Sequence, residues 1–486
     1  MICGIEKALV FAPHPDDELN IAGQLIPSLV ALGVDCRICF STNGDFAPWD
    51  ASTRHKEALK SAARLGLGQS QVFFLGYGDA FRGPHVYVEG DKMVVKSHAG
   101  HMRAYVPEGL PFSDNAGGVA SPYTREAFIA DIKAVVEHLI PDLIICVDYD
   151  SHPDHKALSL GFEHAMAQIL SEKRSYRPVV LKKFAYASSW KGPEDYWDYA
   201  PSVKPDFIAV AYPYELPNPT YSWEERLRLA PDPSTLSTSL RANALYKAAC
   251  AHKTQLAWAE VVRICNSDVV YWLRRSDNLL NEGHVSATSG DFSGIDGFTR
   301  FEVANVDSGF NVGQFLAKGW KPEDGDVART LSVEFPDKRQ LEEVRIVVSP
   351  SCDAVPDSLD ILIDGRSVKA TRNGLTCCYG LTGLGGVCKR IEIRLRKDID
   401  LSVEAIELYG TPTGDCMLLK RLKTVLSLAD DVSMEDKPTP LFPSPRFRLS
   451  AMHAHVFIAR YLVRLRRRIR KLAYIRNADS GGKLTA

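Results

Sequence analysis

The sequence writes one short pattern twice, and few folds can accommodate it. The apolar run Ala8-Leu9-Val10-Phe11 stops at Ala12-Pro13-His14-Pro15-Asp16-Asp17-Glu18, and Leu143 to Val147 stops at Asp148-Tyr149-Asp150-Ser151-His152-Pro153-Asp154-His155. Each is a buried-strand pattern followed by His-Pro-Asp, a further ligand-type residue three positions past the first His, and then helical spacing. An imidazole nitrogen and a carboxylate oxygen suit a divalent metal, and Asp16, left over beside Asp17, can carry a proton. On the first stretch alone an acidic helix start with a surface histidine is an equal explanation, because the helix dipole favours Asp and Glu there. The repetition changes the balance. Loops at the carboxyl ends of strands in an open α/β sheet meet in one crevice, so two such loops far apart in sequence can share one metal.

At these residues the chain resembles the LmbE-like or PIG-L-like zinc deacetylases, whose members remove N-acetyl groups from glucosamine-containing glycans, glycolipids and small glycosides. The family's first motif stands at His14 to Glu18 and its second at His152 to His155. Weaker landmarks are Arg54 with Glu57, Leu75 to Asp79, and Ala251-His252-Lys253-Thr254-Gln255, so the likeness spans about the first 280 residues. It implies metal ligation by His14, Asp17 and His155, by Zn²⁺ or by Fe²⁺ or another divalent ion. It implies Asp16 as general base and His152, ideally as imidazolium, beside the reacting carbonyl. Tyr149 stands as a further oxyanion donor, Asp154 or Asp150 as the group orienting a histidine, and Arg54 and Asp79 as substrate contacts. The implied partner is an N-acetylated sugar in a glycan or glycolipid. An amidase on another amide-linked glycoside and an inactive glycan-binding protein are the alternatives, the latter opposed by the intact ligand set and Asp16.

Alternation of strand-like and helical runs from Ala8 to about Tyr186 is the α/β signature, and predicts a Rossmann-like, mostly parallel sheet with helices on both faces. Strands are expected at Val34 to Phe40, Val72 to Leu75, Val179 to Leu181 and Phe207 to Ala211, and helices at Arg54 to Leu65, Arg125 to Leu139, Lys156 to Ile169, Leu240 to His252 and Trp258 to Arg274. The aperiodic segment from Phe81 to Tyr123 reads as a substrate-covering loop. Cys36-x-x-Cys39 falls inside a strand pattern, where a redox role is not expected. No glycine-rich nucleotide fingerprint, phosphate-loop lysine or serine elbow is present.

A shift to Asn, Gly, Ser, Thr and Asp near residues 276–293 marks a boundary, after which short alternating runs predict a β-sandwich. Gly319-Trp320, Leu331 to Phe335 and Leu359 to Gly365 resemble discoidin-like, galactose-binding sandwiches. Trp320 and Tyr379 are the candidate glycan-facing aromatics, against the competing reading of Trp320 as core. The expected division is 1–285 for the deacetylase-like domain, 286–411 for the sandwich and 412–486 for a linker and tail. In the tail, Phe457, Ile458, Tyr461, Leu462, Leu465, Ile469 and Leu472 form a stripe crowded by Arg460, Arg464, Arg467, Arg468 and Lys471. That pattern suits a helix on an anionic membrane surface, or one packed on its own protein with a solvated basic face.

A net charge of -2 gives no global reason for nucleic-acid binding. No apolar run reaches the ~18 residues of a membrane span. The N-terminus has no signal-peptide pattern, and eleven scattered cysteines suit reduced thiols, so a cytoplasmic protein is expected, with peripheral contact at the inner face of the membrane through the basic helix.

Overall fold

The computed structural model describes residues 4–46, 50–79, 92–107, 120–148, 152–185, 202, 226–237, 239, 241–259, 261–300, 302–306, 313–316, 319–348, 359–368, 371–372, 378–396, 401–410 and 414–426. Tyr149, Asp150, the run Phe207 to Ala211, and the expected linker and basic helix beyond residue 426 lie outside them.

The first sheet runs in the order β3 (Val72–Tyr77), β2 (Asp35–Thr42), β1 (Lys7–Ala12), β4 (Leu143–Val147), β5 (Val179–Lys183), β7 (Val269–Arg274), β6 (Leu227–Leu229). Strands β3 to β5 pair in parallel and β7 runs antiparallel to both its neighbours. Parallel strands covered on both faces need apolar side chains on both, and accordingly all five residues of β4 and five of the six in β1 are buried. Strand order reverses between β1 and β4, which is where an open α/β sheet opens its crevice. The two His-Pro-Asp loops leave these two strands.

Helices α1 (Asp17–Ile21), α2 (Ile26–Ala31), α3 (Ala51–Arg64), α4 (Arg125–Leu139), α5 (Pro153–Glu172) and α6 (Ala244–Ala249) complete this unit. The expected helix over Trp258 to Arg274 is not one. Its second half is β7, where the β-branched and aromatic run Val269-Val270-Tyr271-Trp272 fits a pleated strand between β5 and β6, and the described residues of its first half form short 3₁₀ turns. The aperiodic segment is partly described: Tyr105 donates its amide to Gly76 O at 2.9 Å, which lays this stretch over the end of β3. Gly76 has φ +79, and a Cβ there would lie 2.6 Å from Tyr105 O, so this approach requires glycine. Cys36 and Cys39 are buried in β2, and burial pushes the Cys36 thiol up to about 12, which keeps it protonated and unreactive.

His55 of α3 is fully buried and stacks on Phe74 with ring centroids 3.7 Å apart. Burial lowers its pKa to about 3, with Arg54 adding to the effect. The unfolded chain therefore takes up a proton below about pH 6.5 that the folded chain refuses, and stability falls as pH drops from there toward 3. Between pH 7 and 5 this accounts for ~2 kcal/mol, so His55→Phe should lose that much less stability over the interval than the wild type. Denaturant melts at the two pH values measure it, and parallel losses in both proteins would refute the assignment.

From β7 the chain passes to β8 (His284–Ala287), the first strand of a second, antiparallel sheet. Its order is β13 (Arg366–Val368), β12 (Leu359–Ile363), β15 (Cys378–Leu395), β11 (Thr330–Val348), β16 (Val403–Tyr409), with β14 (Thr371–Arg372) on β15 and β8 on β11. A separate pair joins β9 (Glu302–Val306) to β10 (Gly313–Leu316). The long β11 and β15 shift register between Glu334 and Arg339, and their two halves take different outer partners around one apolar core. Trp320 belongs to that core: it is fully buried and its Nε1 donates to Ser289 O at 2.7 Å, so it offers no platform to a glycan. Tyr379 lies on β15, with its side chain outside the described set.

A last helix, α7 (Gly414–Leu426), was not read from the sequence. It returns to the first unit, where Leu422 and Leu426 join the core and Ala230 donates its amide to Leu426 O at 2.6 Å. No helix among the described residues is long and apolar enough to cross a membrane.

Candidate metal centre

The first loop is shaped by its prolines and by α3. Pro13 O accepts Thr42 N at 2.9 Å and Thr42 Oγ1 at 2.8 Å, which ties the loop to the end of β2. His14 O accepts the Asp17 amide at 3.1 Å, closing a tight turn before α1. Arg54 donates Nη2 to Pro15 O and, at 3.2 Å, to Asp16 Oδ1. Gly44 has φ +61, and a Cβ there would lie 2.9 Å from the Arg54 guanidinium carbon, so glycine leaves the room this arginine occupies. The second loop starts α5: Pro153 takes the first helical position, and the His152 ring caps it, Nδ1 accepting the Asp154 amide at 3.2 Å.

Three side chains from the two loops converge. His14 Nδ1 lies 2.8 Å from Asp17 Oδ2, His155 Nε2 lies 3.1 Å from the same oxygen, and the two ring nitrogens are 3.3 Å apart. Ligands at the usual zinc distances on a tetrahedron sit about 3.3 Å from one another. These three atoms therefore have the spacing of a first coordination shell, and all three residues are buried. The far edge of the His14 ring faces other groups: Nε2 is 2.9 Å from Asp154 Oδ2 and 3.8 Å from Asp79 Oδ2. His14, His152 and His155, and separately His14, Asp79, His152 and Asp154, also group closely enough to hold an ion. The Asp17 triangle is the tighter arrangement, and its remaining edge gives His14 a carboxylate on the opposite nitrogen, the usual support for a ligating imidazole.

The charges follow from this packing. Burial would lower the His14 pKa, but hydrogen bonds to Asp154 and Asp17 hold it well above its ordinary value. Burial would raise Asp17, but the two histidines hold it well below the carboxylate range. Such a set of two imidazoles around one buried carboxylate is the chemistry that a divalent cation satisfies. Asp16 is pushed up to about 6 by burial, Arg54 offsetting part of the rise and Asp17 adding to it, and its side chain keeps 21% of its surface exposed. His152 moves the other way: burial and the charge on His14 lower it well below its ordinary value. In this arrangement Nδ1 accepts the Asp154 amide, which leaves the ring proton on Nε2 and differs from the imidazolium expected for His152.

Of the site residues read from the sequence, His14, Asp16, Asp17, Arg54, Asp79, His152, Asp154 and His155 come together here, and Tyr149 is outside the described residues. Arg54, expected to touch substrate, is 4% exposed and holds the chain at Pro15 and Asp16 instead. Asp79 is positioned by Asp45, whose Oδ1 accepts its amide at 2.8 Å and whose Oδ2 accepts Tyr105 Oη at 2.6 Å. Asp45 and Tyr105 had no sequence signal beyond their place at a strand end and in the aperiodic segment. Glu18 and His252, both fully buried and 2.6 Å apart, stood in motif stretches without a role of their own. Burial would lower His252, but the charge and hydrogen bond of Glu18 raise it.

Residues 9–166 match the family described as PIG-L: GlcNAc-PI de-N-acetylase. They are a PIG-L domain. Both His-Pro-Asp loops fall inside this PIG-L domain, whereas His252 and the second sheet lie beyond its matched length. Among solved structures the chain is similar to N,N'-diacetylchitobiose deacetylase from Pyrococcus horikoshii, at 20% identity over 36% of this chain and 53% of that one, with TM-score 0.23. It is similar to a conserved protein from Thermus thermophilus, TT1542, at 22% identity, over 35% of this chain and 59% of that one, with TM-score 0.23. A deacetylase–teicoplanin complex from the biosynthesis pathway of teicoplanin is 13% identical over 56% of this chain and 100% of that one, with TM-score 0.32. The chain thus spans little more than half the length of the first two. No curated protein matches it.

Proposed function

We propose that the chain is a metal-dependent amidohydrolase that removes the N-acetyl group from an N-acetylhexosamine, GlcNAc-type unit of a glycan, glycolipid or glycan precursor. The observation that carries this reading is the Asp17, His14 and His155 triangle, with ligand atoms 2.8 to 3.3 Å apart and the Asp16 carboxylate next to it. The family description of the PIG-L domain supports the choice of an N-acetylated amino sugar.

His14, Asp17 and His155 would hold the metal, Zn²⁺ or Fe²⁺. Bound there, such an ion acts as a Lewis acid toward an acyl oxygen and lowers the pKa of a neighbouring water to about 7. Asp16 accepts a proton from the attacking water as the new C–O bond forms at the acetamide carbon. His152 donates its Nε2 proton as a hydrogen bond to the carbonyl oxygen while negative charge develops on it, and Tyr149 is a second donor. Asp16 then returns its proton to the departing amine as the C–N bond breaks, leaving acetate and a free amino sugar. Asp154 orients His14 from behind, and Asp79 flanks the crevice as a sugar contact. The basic stripe at residues 457–472 would bring this site to an anionic membrane surface where a lipid-linked sugar is presented.

The test is metal content and acetate release for the full-length protein against GlcNAc glycosides and lipid-linked sugars. Chelation should abolish acetate release and added Zn²⁺ or Fe²⁺ restore it, while Asp17→Asn and His155→Ala should lose both metal and turnover. A wild-type protein that binds no metal, or a chelated one that still releases acetate, would refute the reading.

A further inference from the structure

Two of the stretches singled out in the sequence, Arg54 to Glu57 and Ala251 to Gln255, supply no atom to the ligand triangle. Both nevertheless act on the first loop. Glu57 Oε1 accepts the Thr254 amide at 2.9 Å and Oε2 accepts Thr254 Oγ1 at 2.6 Å, which fastens the second stretch to α3. So placed, His252 Nε2 donates to Glu18 Oε1 at 2.6 Å, and Ser61 Oγ of α3 donates to the same oxygen at 2.7 Å. The other oxygen of Glu18, Oε2, accepts the backbone amide of Asp16 at 2.9 Å. Asp16 itself has φ 140 and ψ -22, a conformation that a residue with a side chain keeps only where its surroundings over-determine it. Arg54 holds its other side through Pro15 O and the carboxylate.

We propose that Glu18 and His252 are positioning residues for Asp16: the carboxylate of Glu18, braced by His252 and Ser61, grips the Asp16 amide and keeps its side chain at the orientation the reaction uses. This inference rests on Asp16 being the base. It assigns a task to the His of Ala251-His252-Lys253-Thr254-Gln255, which lies beyond the matched domain and touches none of the ligand atoms. The competing explanation is a helix start held for stability alone, since a Glu reaching back to an N-cap amide is a capping device. The two differ in what they do to turnover.

The experiment compares wild type, His252→Ala, His252→Gln and Glu18→Gln as full-length proteins, assayed well below their melting temperatures for kcat, KM and metal content. A misplaced base costs about 10- to 100-fold in rate. His252→Ala and Glu18→Gln should therefore lose kcat by that factor with KM and metal content unchanged, and His252→Gln, whose amide can still donate to Glu18, should recover most of it. Variants that melt earlier but turn over at the wild-type rate would overturn the proposal. Crystal structures of His252→Ala and Glu18→Ala give a readout independent of activity: relaxation of Asp16 to negative φ supports the brace, and an unchanged φ near 140 overturns it. If the wild type releases no acetate from any amide, the proposed function falls, and the Asp16 conformation in these variants still decides the brace.

Discussion

Asp16→Asn is expected to keep its metal and lose its turnover. The substitution preserves the shape of the side chain and the hydrogen bond that Arg54 can make to its oxygen, and Asn is among the few residues tolerated at positive φ. What it removes is a group able to accept a proton, and proton transfer by a positioned base is worth about 100- to 10,000-fold. Acetate release should fall by that factor, while metal content stays with the Asp17, His14 and His155 triangle, which the change does not touch. The contrast with Asp17→Asn is what makes the result informative, because that neighbouring substitution removes a ligand oxygen and should empty the site. If Asp16→Asn turns over normally, the proton goes elsewhere; if it loses the metal, Asp16 belongs to the ligand set.

What could be read in advance follows from the range of the interactions involved. Strands β1 and β4 were legible because parallel strands buried on both faces have no alternation, and a run such as Leu143-Ile144-Ile145-Cys146-Val147, five apolar residues with no polar face, is too short for a buried helix. The ligand-type residues were legible for a similar reason: His14 with Asp17, and His152 with His155, lie three positions apart, and adjacent strands at the switch point supply the rest. Val269 to Arg274 was misread because a short apolar run does not declare its period, and only its pairing with β5 makes it a strand. The conformation of Asp16, the neutral state of His152 and the grip of His252 on Glu18 depend on contacts between residues distant in the chain, which no local pattern encodes. Trp320 shows the same limit in the second sheet, where a residue type common at glycan sites is spent on core packing and a hydrogen bond to Ser289.

Such distant contacts also decide how far the two sheets are separable, and Glu407→Gln is the test. Glu407, on β16 of the second sheet, is buried among three arginines: Oε1 accepts Arg274 Nη1 of β7 at 2.9 Å and Arg300 Nε at 2.6 Å, and Arg345 Nε lies 3.9 Å from Oε2. Arg274 and the Arg300 amide also reach Glu163 of α5, at 3.6 and 3.2 Å, and Lys182 of β5 continues the chain of charges to Asp148 at 3.7 Å, at the end of β4. Removing one charge from such a buried group leaves its partners uncompensated and costs about 3–5 kcal/mol. Burial would raise the Glu407 pKa, but Arg300, Arg274 and Arg345 hold it well below the carboxylate range. A depressed folded pKa means that this stabilisation is complete above the unfolded value of about 4.3 and is lost as pH falls below it. The wild type should therefore exceed Glu407→Gln in stability by the full amount at pH 7, and the gap should narrow on titration to pH 3. Because Arg274 belongs to one sheet and Glu407 to the other, both should unfold in one transition at neutral pH. Two separate transitions in the wild type, or a gap independent of pH, would show that the second sheet is a detachable module and that the buried charges do not join it to the first sheet.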